Sequence, residues 1–111
     1  MTPGIVQLSA TELATWIADA QADAPVLLDV REPWEFELVH ISGSVHLPMG
    51  HIPAALEQIP TGQAVVCICH HGIRSQQVAL FLKSKGFSPL YNLSGGIDAW
   101  SREVDSTCPT Y

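Results

Sequence analysis

The segment best suited to chemistry runs from a cysteine to a serine, Cys69-His70-His71-Gly72-Ile73-Arg74-Ser75. It lies between an apolar stretch at residues 64–69 and a helical pattern that ends at Gly86. A cysteine at such a strand-to-helix turn can face the first N–H groups of the helix, where the macrodipole favours an anion. The dipole alone stabilises a thiolate by about 0.3–1 kcal/mol. We therefore predict that Cys69 is a nucleophile and not a buried structural thiol.

The length of this loop limits what the cysteine can carry. Four residues separate Cys69 from Arg74, and Gly72 lets the backbone curl so that successive N–H groups point inward as an anion nest. Such a cradle can bind a persulfide, a thiosulfate oxygen or a phosphate. A shorter loop makes a smaller cradle, and one terminal sulfur is smaller than a phosphoryl group. The spacing favours a persulfide over a phosphoenzyme.

The other cysteines and the two histidines suggest alternatives that we weigh lower. Cys67 lies on the same strand face as Cys69 and is predicted to pack in the core, because the pair lacks the C-x-x-C spacing of dithiol redox sites. Cys108 is interpreted as incidental, with a mobile second thiol as the alternative. Adjacent residues rarely point at one ion, so Cys69, His70 and His71 are not expected to bind metal. The histidines either tune the loop or are simply exposed.

Charged residues near two predicted strand ends can either meet substrate or support the loop. Asp29 and Arg31 either border the pocket or form a buried pair that fixes the loop around Glu32 and His40, which is the interpretation we favour. Arg74 either binds donor anions or anchors its loop through a carboxylate, and we favour the anchor. Ser75 is assigned, with Asp29 and Arg31, to the pocket or its support.

The elements that must position these residues alternate between strands and helices. Ser9 and Glu12 form the S-x-x-E pattern of a capping box, so a helix is predicted to begin there. A short helix is predicted with Pro33 at its first position, and another over residues 52–59. Strands are predicted at residues 5–7, 26–30, 44–48, 64–69 and 90–93. This order predicts an α/β fold whose parallel sheet carries helices on both faces, with the site beyond the carboxyl ends of the strands.

Length and composition predict one domain over residues 1–111, with a core at about 5–104 and a frayed tail from Ser106 to Tyr111. A net charge of −6 with only 5 Lys and Arg residues excludes a basic nucleic-acid surface. Residues 1–4 contain neither a positive region nor an apolar run, so no signal peptide is predicted. No apolar stretch can span a membrane, and three cysteines do not suit a disulfide framework. We expect a cytoplasmic protein without membrane or nucleic-acid partners.

Three motifs in this chain resemble those of the rhodanese family. Residues 29–36 with 40–48 resemble its first signature, residues 69–75 its active-site loop, and residues 94–100, Ser-Gly-Gly-Ile-Asp-Ala-Trp, its closing motif. The resemblance extends from Val6 to Trp100 in the expected order and spacing. It implies the three-layer rhodanese fold, with a mostly parallel sheet of about five strands, and a cysteine that alternates between thiol and persulfide.

Carried over by position, the resemblance makes Cys69 the residue that takes the outer sulfur of a donor. It implies that the backbone N–H groups of the next five residues hold the persulfide; these are His70, His71, Gly72, Ile73 and Arg74. Phosphatases that share the fold have one more residue in this loop. The implied reaction moves sulfur from thiosulfate or a persulfide to cyanide, glutathione or a protein thiol, without cofactor or metal. The alternative is a carrier that hands its persulfide to a partner protein with little turnover of small molecules.

Overall fold

A computed structural model describes residues 4–111 and contains a single five-stranded sheet. Its strands are β1 (Ile5–Leu8), β2 (Val26–Asp29), β3 (Val45–His46), β4 (Val65–Ile68) and β5 (Leu90–Leu93). They are arranged in the order β1-β5-β4-β2-β3, and every neighbouring pair is parallel. The predicted parallel sheet is confirmed. All five strands therefore end at the same edge, where loops from distant parts of the chain meet.

Three of the four α-helices in residues 4–111 lie between strands, and the fourth follows β5; they are α1 (Ala10–Ala18), α2 (Pro33–Leu38), α3 (Ile73–Ser84) and α4 (Gly96–Glu103). The predicted capping box at α1 is confirmed. The Glu12 N–H donates to Ser9 Oγ at 3.1 Å, and the Ser9 N–H donates to Glu12 Oε1 at 2.8 Å. Helix α2 begins at Pro33 as predicted, because proline has no N–H to lose at a first helical position.

Apolar side chains form one core on each face of the sheet. Val65 and Cys67 of β4 pack on one side with residues of α3, including Leu82. The alternating residues Val66 and Ile68 pack on the other side with residues of α1 and α4. Strands buried on both faces read as continuous apolar runs, which is why β2 and β4 were recognisable from sequence. The three-layer prediction is confirmed.

One helix prediction was wrong in type. Residues 52–59 do not form an α-helix; the region contains two 3-10 helical segments, Met49–Ala54 and Leu56–Gln58. Pro53 lies inside the first segment, where it cannot donate a backbone hydrogen bond and its ring disfavours the α conformation at Ile52. Short 3-10 turns tolerate this better than an α-helix does.

The chain after α4 also differs from its prediction, since the tail expected to fray is packed on the domain. The Cys108 N–H donates to the Asp105 carbonyl at 3.0 Å, and Ser101 Oγ donates to the Pro109 carbonyl at 3.4 Å. The Tyr111 hydroxyl donates to Glu35 Oε2 at 2.7 Å. The first two bonds are local, but Tyr111 bonds a residue 76 positions away, a contact that the composition of the tail does not indicate.

The predictions about targeting have a narrower structural counterpart. Residues 1–3, on which the expected lack of a signal peptide partly rests, lie outside the described residues. Within residues 4–111, no helix is both long enough and apolar enough to cross a membrane.

Candidate active site

Cys69 follows β4 directly and lies at the carboxyl edge of the sheet. Its side chain is buried, with the residue 1% exposed, but the sulfur is not left to apolar neighbours alone. Sγ accepts hydrogen bonds from the Gly72 N–H at 3.1 Å and from the Ser75 N–H at 3.3 Å. Two main-chain donors therefore point at the sulfur from the turn that opens α3, an arrangement that favours negative charge there.

The curvature of this loop depends on Gly72. Its φ of +99° lies in the left-handed region, and a Cβ there would collide with the Ser94 carbonyl. Of the predicted donors His70 to Arg74, the structure places the Gly72 N–H on the sulfur, and it adds the Ser75 N–H from just beyond that range. Ser75 was assigned to the pocket or its support, and both its N–H and its hydroxyl contact Sγ.

The turn into α4 fixes the same loop from outside. The Ile97 N–H donates to the Cys69 carbonyl at 2.9 Å, and the Asp98 N–H donates to the His70 carbonyl at 3.1 Å. This approach requires Gly96, whose φ is +62° and whose added Cβ would meet both carbonyls. Gly96, inside the motif at residues 94–100, therefore helps to orient the peptide groups next to the nucleophile.

Arg74 is committed to a carboxylate. Its Nη1 and Nη2 donate to Glu35 Oε1 and Oε2 at 2.7 and 2.9 Å, a bidentate pair. The guanidinium lowers the pKa of Glu35 to about 2. Glu35 in turn raises the pKa of Arg74. The structure places Arg74 as an anchor that ties the start of α3 to α2, with both terminal nitrogens turned toward Glu35.

Asp29 and Arg31 form a pair with no exposed side-chain surface. Arg31 Nε and Nη2 donate to the Asp29 carboxylate at 2.9 and 2.7 Å. The same guanidinium donates to the Glu35 carbonyl at 3.2 Å and to the Val39 carbonyl at 2.6 Å. The pair thus holds α2 and the chain that follows it, which matches the supporting arrangement rather than a lining of the pocket.

Tyr111 is a site neighbour that sequence reasoning missed. Its hydroxyl donates to Glu35 Oε2 and accepts from Arg31 Nη1 at 2.9 Å. Its ring is stacked on His70, the residue after the nucleophile, with centroids 3.9 Å apart and planes 9° apart. Burial is the main factor that raises the pKa of Tyr111 to about 12. No local motif marks such a residue, because its partners are distant in sequence.

The two histidines have different surroundings. His70 lies between the rings of Tyr111 and His71, and burial, followed by the neighbouring His71, lowers the pKa of His70. The His71 side chain is 58% exposed, and its Nδ1 lies 4.0 Å from Asp98. Within residues 4–111 no cluster of three or more His, Cys, Asp or Glu residues is placed to hold a metal ion.

The remaining cysteines lie in less reactive places. Burial, and then the charge of Cys69, raise the pKa of Cys67 to about 12, as suits a thiol that packs in the core. Cys108 is partly buried, and burial is also the main cause that raises its pKa.

A groove of about 540 Å³ opens beside the loop. It is lined by His71, Gly72 and Ile73 on one side and by Gln7 and Asn92 on the other. The groove borders the outer side of the loop, whereas Cys69 itself is only 1% exposed.

Several known proteins are similar to this chain in sequence or in fold. The rhodanese-like domain model matches residues 9–103. The thiosulfate sulfurtransferase GlpE of Vibrio cholerae serotype O1 is 38% identical over 76 residues, which cover 68% of this chain and 72% of that protein. The protein of the same name from Pseudomonas fluorescens is 40% identical over 75 residues, covering 68% and 69%. A solved rhodanese-like domain protein from Staphylococcus aureus is 25% identical and superposes with a TM-score of 0.81 over 89% of this chain and 94% of that one.

Proposed function

Because this chain belongs to the rhodanese-like domain family, we propose that it moves sulfane sulfur from thiosulfate or a persulfide to a thiophilic acceptor through a persulfide on Cys69. Its relatives named thiosulfate sulfurtransferase make it a rhodanese-type sulfurtransferase. The observation that carries the assignment to Cys69 is the pair of main-chain N–H groups, from Gly72 and Ser75, that meet on its sulfur.

In the first half-reaction, the Cys69 thiolate attacks the sulfane sulfur of the donor. A new S–S bond forms on Cys69 as the donor bond breaks, and sulfite or a thiolate leaves with the electron pair. The Gly72 and Ser75 N–H groups donate to Sγ and stabilise its thiolate form, and once the thiol has ionised the attack needs no separate base. Arg74 keeps the loop in position through Glu35.

In the second half-reaction, the acceptor attacks the outer sulfur and Cys69 leaves as a thiolate. Cyanide would become thiocyanate, and glutathione or a protein thiol would become a persulfide. The same two N–H groups stabilise the departing thiolate, so one preformed cradle serves both steps. We place the approaching acceptor in the groove at His71 and Ile73, next to the loop.

Intact-mass measurement after exposure to thiosulfate, or separately to glutathione persulfide, tests the proposal. We expect the protein to gain one sulfur atom, to lose it on addition of cyanide, and to gain none when Cys69→Ser is used. Cys67→Ser is the matched control, because that thiol lies in β4, two residues before Cys69 and away from the loop N–H groups that bond the Cys69 sulfur, and it should still load. Undiminished sulfur transfer by Cys69→Ser would contradict the assignment. Hydrolysis of an aryl phosphate that depends on Cys69 would instead support phosphatase chemistry.

A second candidate is a persulfide carrier that delivers sulfur to a partner protein. Two observations favour it: both terminal nitrogens of Arg74 are bound to Glu35, and Ile73, beside the nucleophile, is 72% exposed. The first gives an anionic donor such as thiosulfate little help from Arg74, and the second offers an apolar contact to another protein. Negligible steady-state thiosulfate:cyanide turnover together with complete persulfide loading would favour the carrier.

Two further expectations from the sequence stay predictions: a single domain over residues 1–111 and a cytoplasmic location.

A further inference from the structure

A line of hydrogen bonds runs from the nucleophile into β5. Cys69 Sγ lies 3.2 Å from Ser75 Oγ, and the Ser75 hydroxyl donates to Asn92 Oδ1 at 2.5 Å. Ser75 is fully buried and Asn92 is 2% exposed. Water therefore cannot readily replace either partner, so each bond in this line constrains the next.

The direction of the protons along this line follows from one carbonyl. Asn92 Nδ2 donates to the Gly72 carbonyl at 3.1 Å, and a carbonyl can only accept. The Asn92 amide is thereby oriented with Oδ1 toward Ser75. A serine hydroxyl has a single proton, and here Asn92 receives it. Ser75 consequently presents only lone pairs to Cys69, and the neutral thiol is the partner that donates.

We propose that Asn92 is a positioning residue that competes with the Cys69 sulfur for the Ser75 proton and so restrains thiolate formation in the resting protein. The inference rests on the proposed function, in which the thiolate is the attacking group. When Cys69 ionises, the Ser75 hydroxyl either keeps lone pairs against an anion or rotates toward the sulfur and gives up its bond to Asn92. Either outcome makes ionisation harder than the two main-chain N–H groups alone would make it.

Other groups around Cys69 stay constant in this comparison. Cys67 on β4 and Arg74 on α3 interact electrostatically with Cys69. Helix α4 contributes main-chain bonds to the Cys69 and His70 carbonyls. Substitution of Asn92 on β5 removes none of these side chains or bonds, although it does remove the Asn92 Nδ2 bond to the Gly72 carbonyl.

The test is a double-mutant cycle read by the alkylation rate of Cys69 with iodoacetamide across pH, with peptide mass spectrometry to separate it from Cys67 and Cys108. Asn92→Ala should speed alkylation about fivefold below the midpoint of the profile, the effect of one ordinary hydrogen bond. In a Ser75→Ala background the same substitution should speed alkylation clearly less, because there is no hydroxyl proton to redirect; the change left there measures the lost Asn92 Nδ2 bond to the Gly72 carbonyl.

An equal acceleration in both backgrounds, or none in either, would overturn the inference. If Asn92→Ala lacks a cooperative thermal transition, the native protein supplies the second measurement. The ¹³C shift of the Asn92 side-chain carbonyl should change with the same pH midpoint as Cys69 alkylation, and this change should disappear in Ser75→Ala; a constant shift in the native protein would also overturn it. Alkylation needs no sulfur donor. If the protein never gains sulfur, the proposed function is contradicted. If it gains sulfur but the alkylation rate of Cys69 does not respond to Asn92→Ala, only this inference is contradicted.

Discussion

Two neighbouring strand ends in this protein hold charge in opposite ways. At the end of β4, the Cys69 sulfur is held by main-chain N–H groups of Gly72 and Ser75. At the end of β2, Asp29 and Arg31 form a fully buried ion pair made of side chains. The first end has a polar lining made of backbone, whereas the second has formal charges that neutralise each other.

Arg74 shows where the boundary between these regions lies. It follows Cys69 closely in sequence, yet its guanidinium binds Glu35 and not the sulfur. Arg74 thereby joins the charged cluster, by which we mean Asp29, Arg31, Glu35 and Arg74. The side chains of that cluster should therefore control stability and loop position, whereas sulfur chemistry should depend on the backbone around Cys69. The following predictions test this division, from the largest expected effect to the smallest.

The largest effect is expected from Arg31→Met. The substitution leaves the Asp29 carboxylate buried without its partner, and breaking a buried pair in this way costs about 3–5 kcal/mol. Equilibrium urea unfolding should show this loss in the free energy of unfolding. Arg102→Ala is the control, because its side chain is 64% exposed and its i,i+4 pair with Asp98 is worth about 0.5 kcal/mol or less. Equal losses in both variants would show that the buried pair has no special weight.

A pH-dependent effect is expected from Glu35. Its folded pKa of about 2 lies below the ordinary value of 4.5, so the folded state favours the carboxylate. The resulting stabilisation, about 3 kcal/mol, is present above pH 4.5 and is lost as the pH falls toward 2. In Glu35→Gln the free energy of unfolding should be lower at pH 7 and should vary less between pH 4.5 and 2. A parallel pH dependence in the two proteins would contradict this origin.

The smallest effect of the three is expected from Tyr111→Phe. The variant keeps the ring on His70 but loses the hydroxyl bonds to Glu35 and Arg31, at a cost of about 1–2 kcal/mol. Thermal unfolding checks the cost. In a Glu35→Gln background the same change should cost less, because the two groups are direct partners. The rate of persulfide loading on Cys69 should stay within about twofold; a much larger loss would mean that the charged cluster takes part in the chemistry.

Local signals in the sequence identified much of this arrangement. The apolar run before Cys69 predicts a strand buried on both faces, and Gly72 marks the turn that follows it. The Ser9 and Glu12 pair predicts the start of α1, because a capping box lies within one helical turn. These features were predictable since each depends on residues close together in the chain.

Other parts of the site depend on distances that no local pattern encodes. Arg74 was expected to meet a carboxylate, but the chain separates it from Glu35 by 39 positions, and Tyr111 lies 76 positions from the same residue. Asn92 looks like an ordinary position inside a buried strand, and only the pairing of β4 with β5 brings it to Ser75. The sheet order assembles these contacts, so they became visible only in the folded structure.

The hydrogen bonds between α4 and the loop limit how the loop can be enlarged to hold a bigger group on Cys69. The Ile97 and Asp98 N–H groups donate to the carbonyls of Cys69 and His70. Gly96 lies so close to these carbonyls that there is no room for a Cβ atom. Inserting one residue to widen the loop between Cys69 and Arg74 would move those carbonyls and break their hydrogen bonds to the start of α4. A wider loop would therefore need matched changes in the loop after Cys69 and in the turn into α4. A single insertion in either segment is expected to disrupt the site and not to enlarge it.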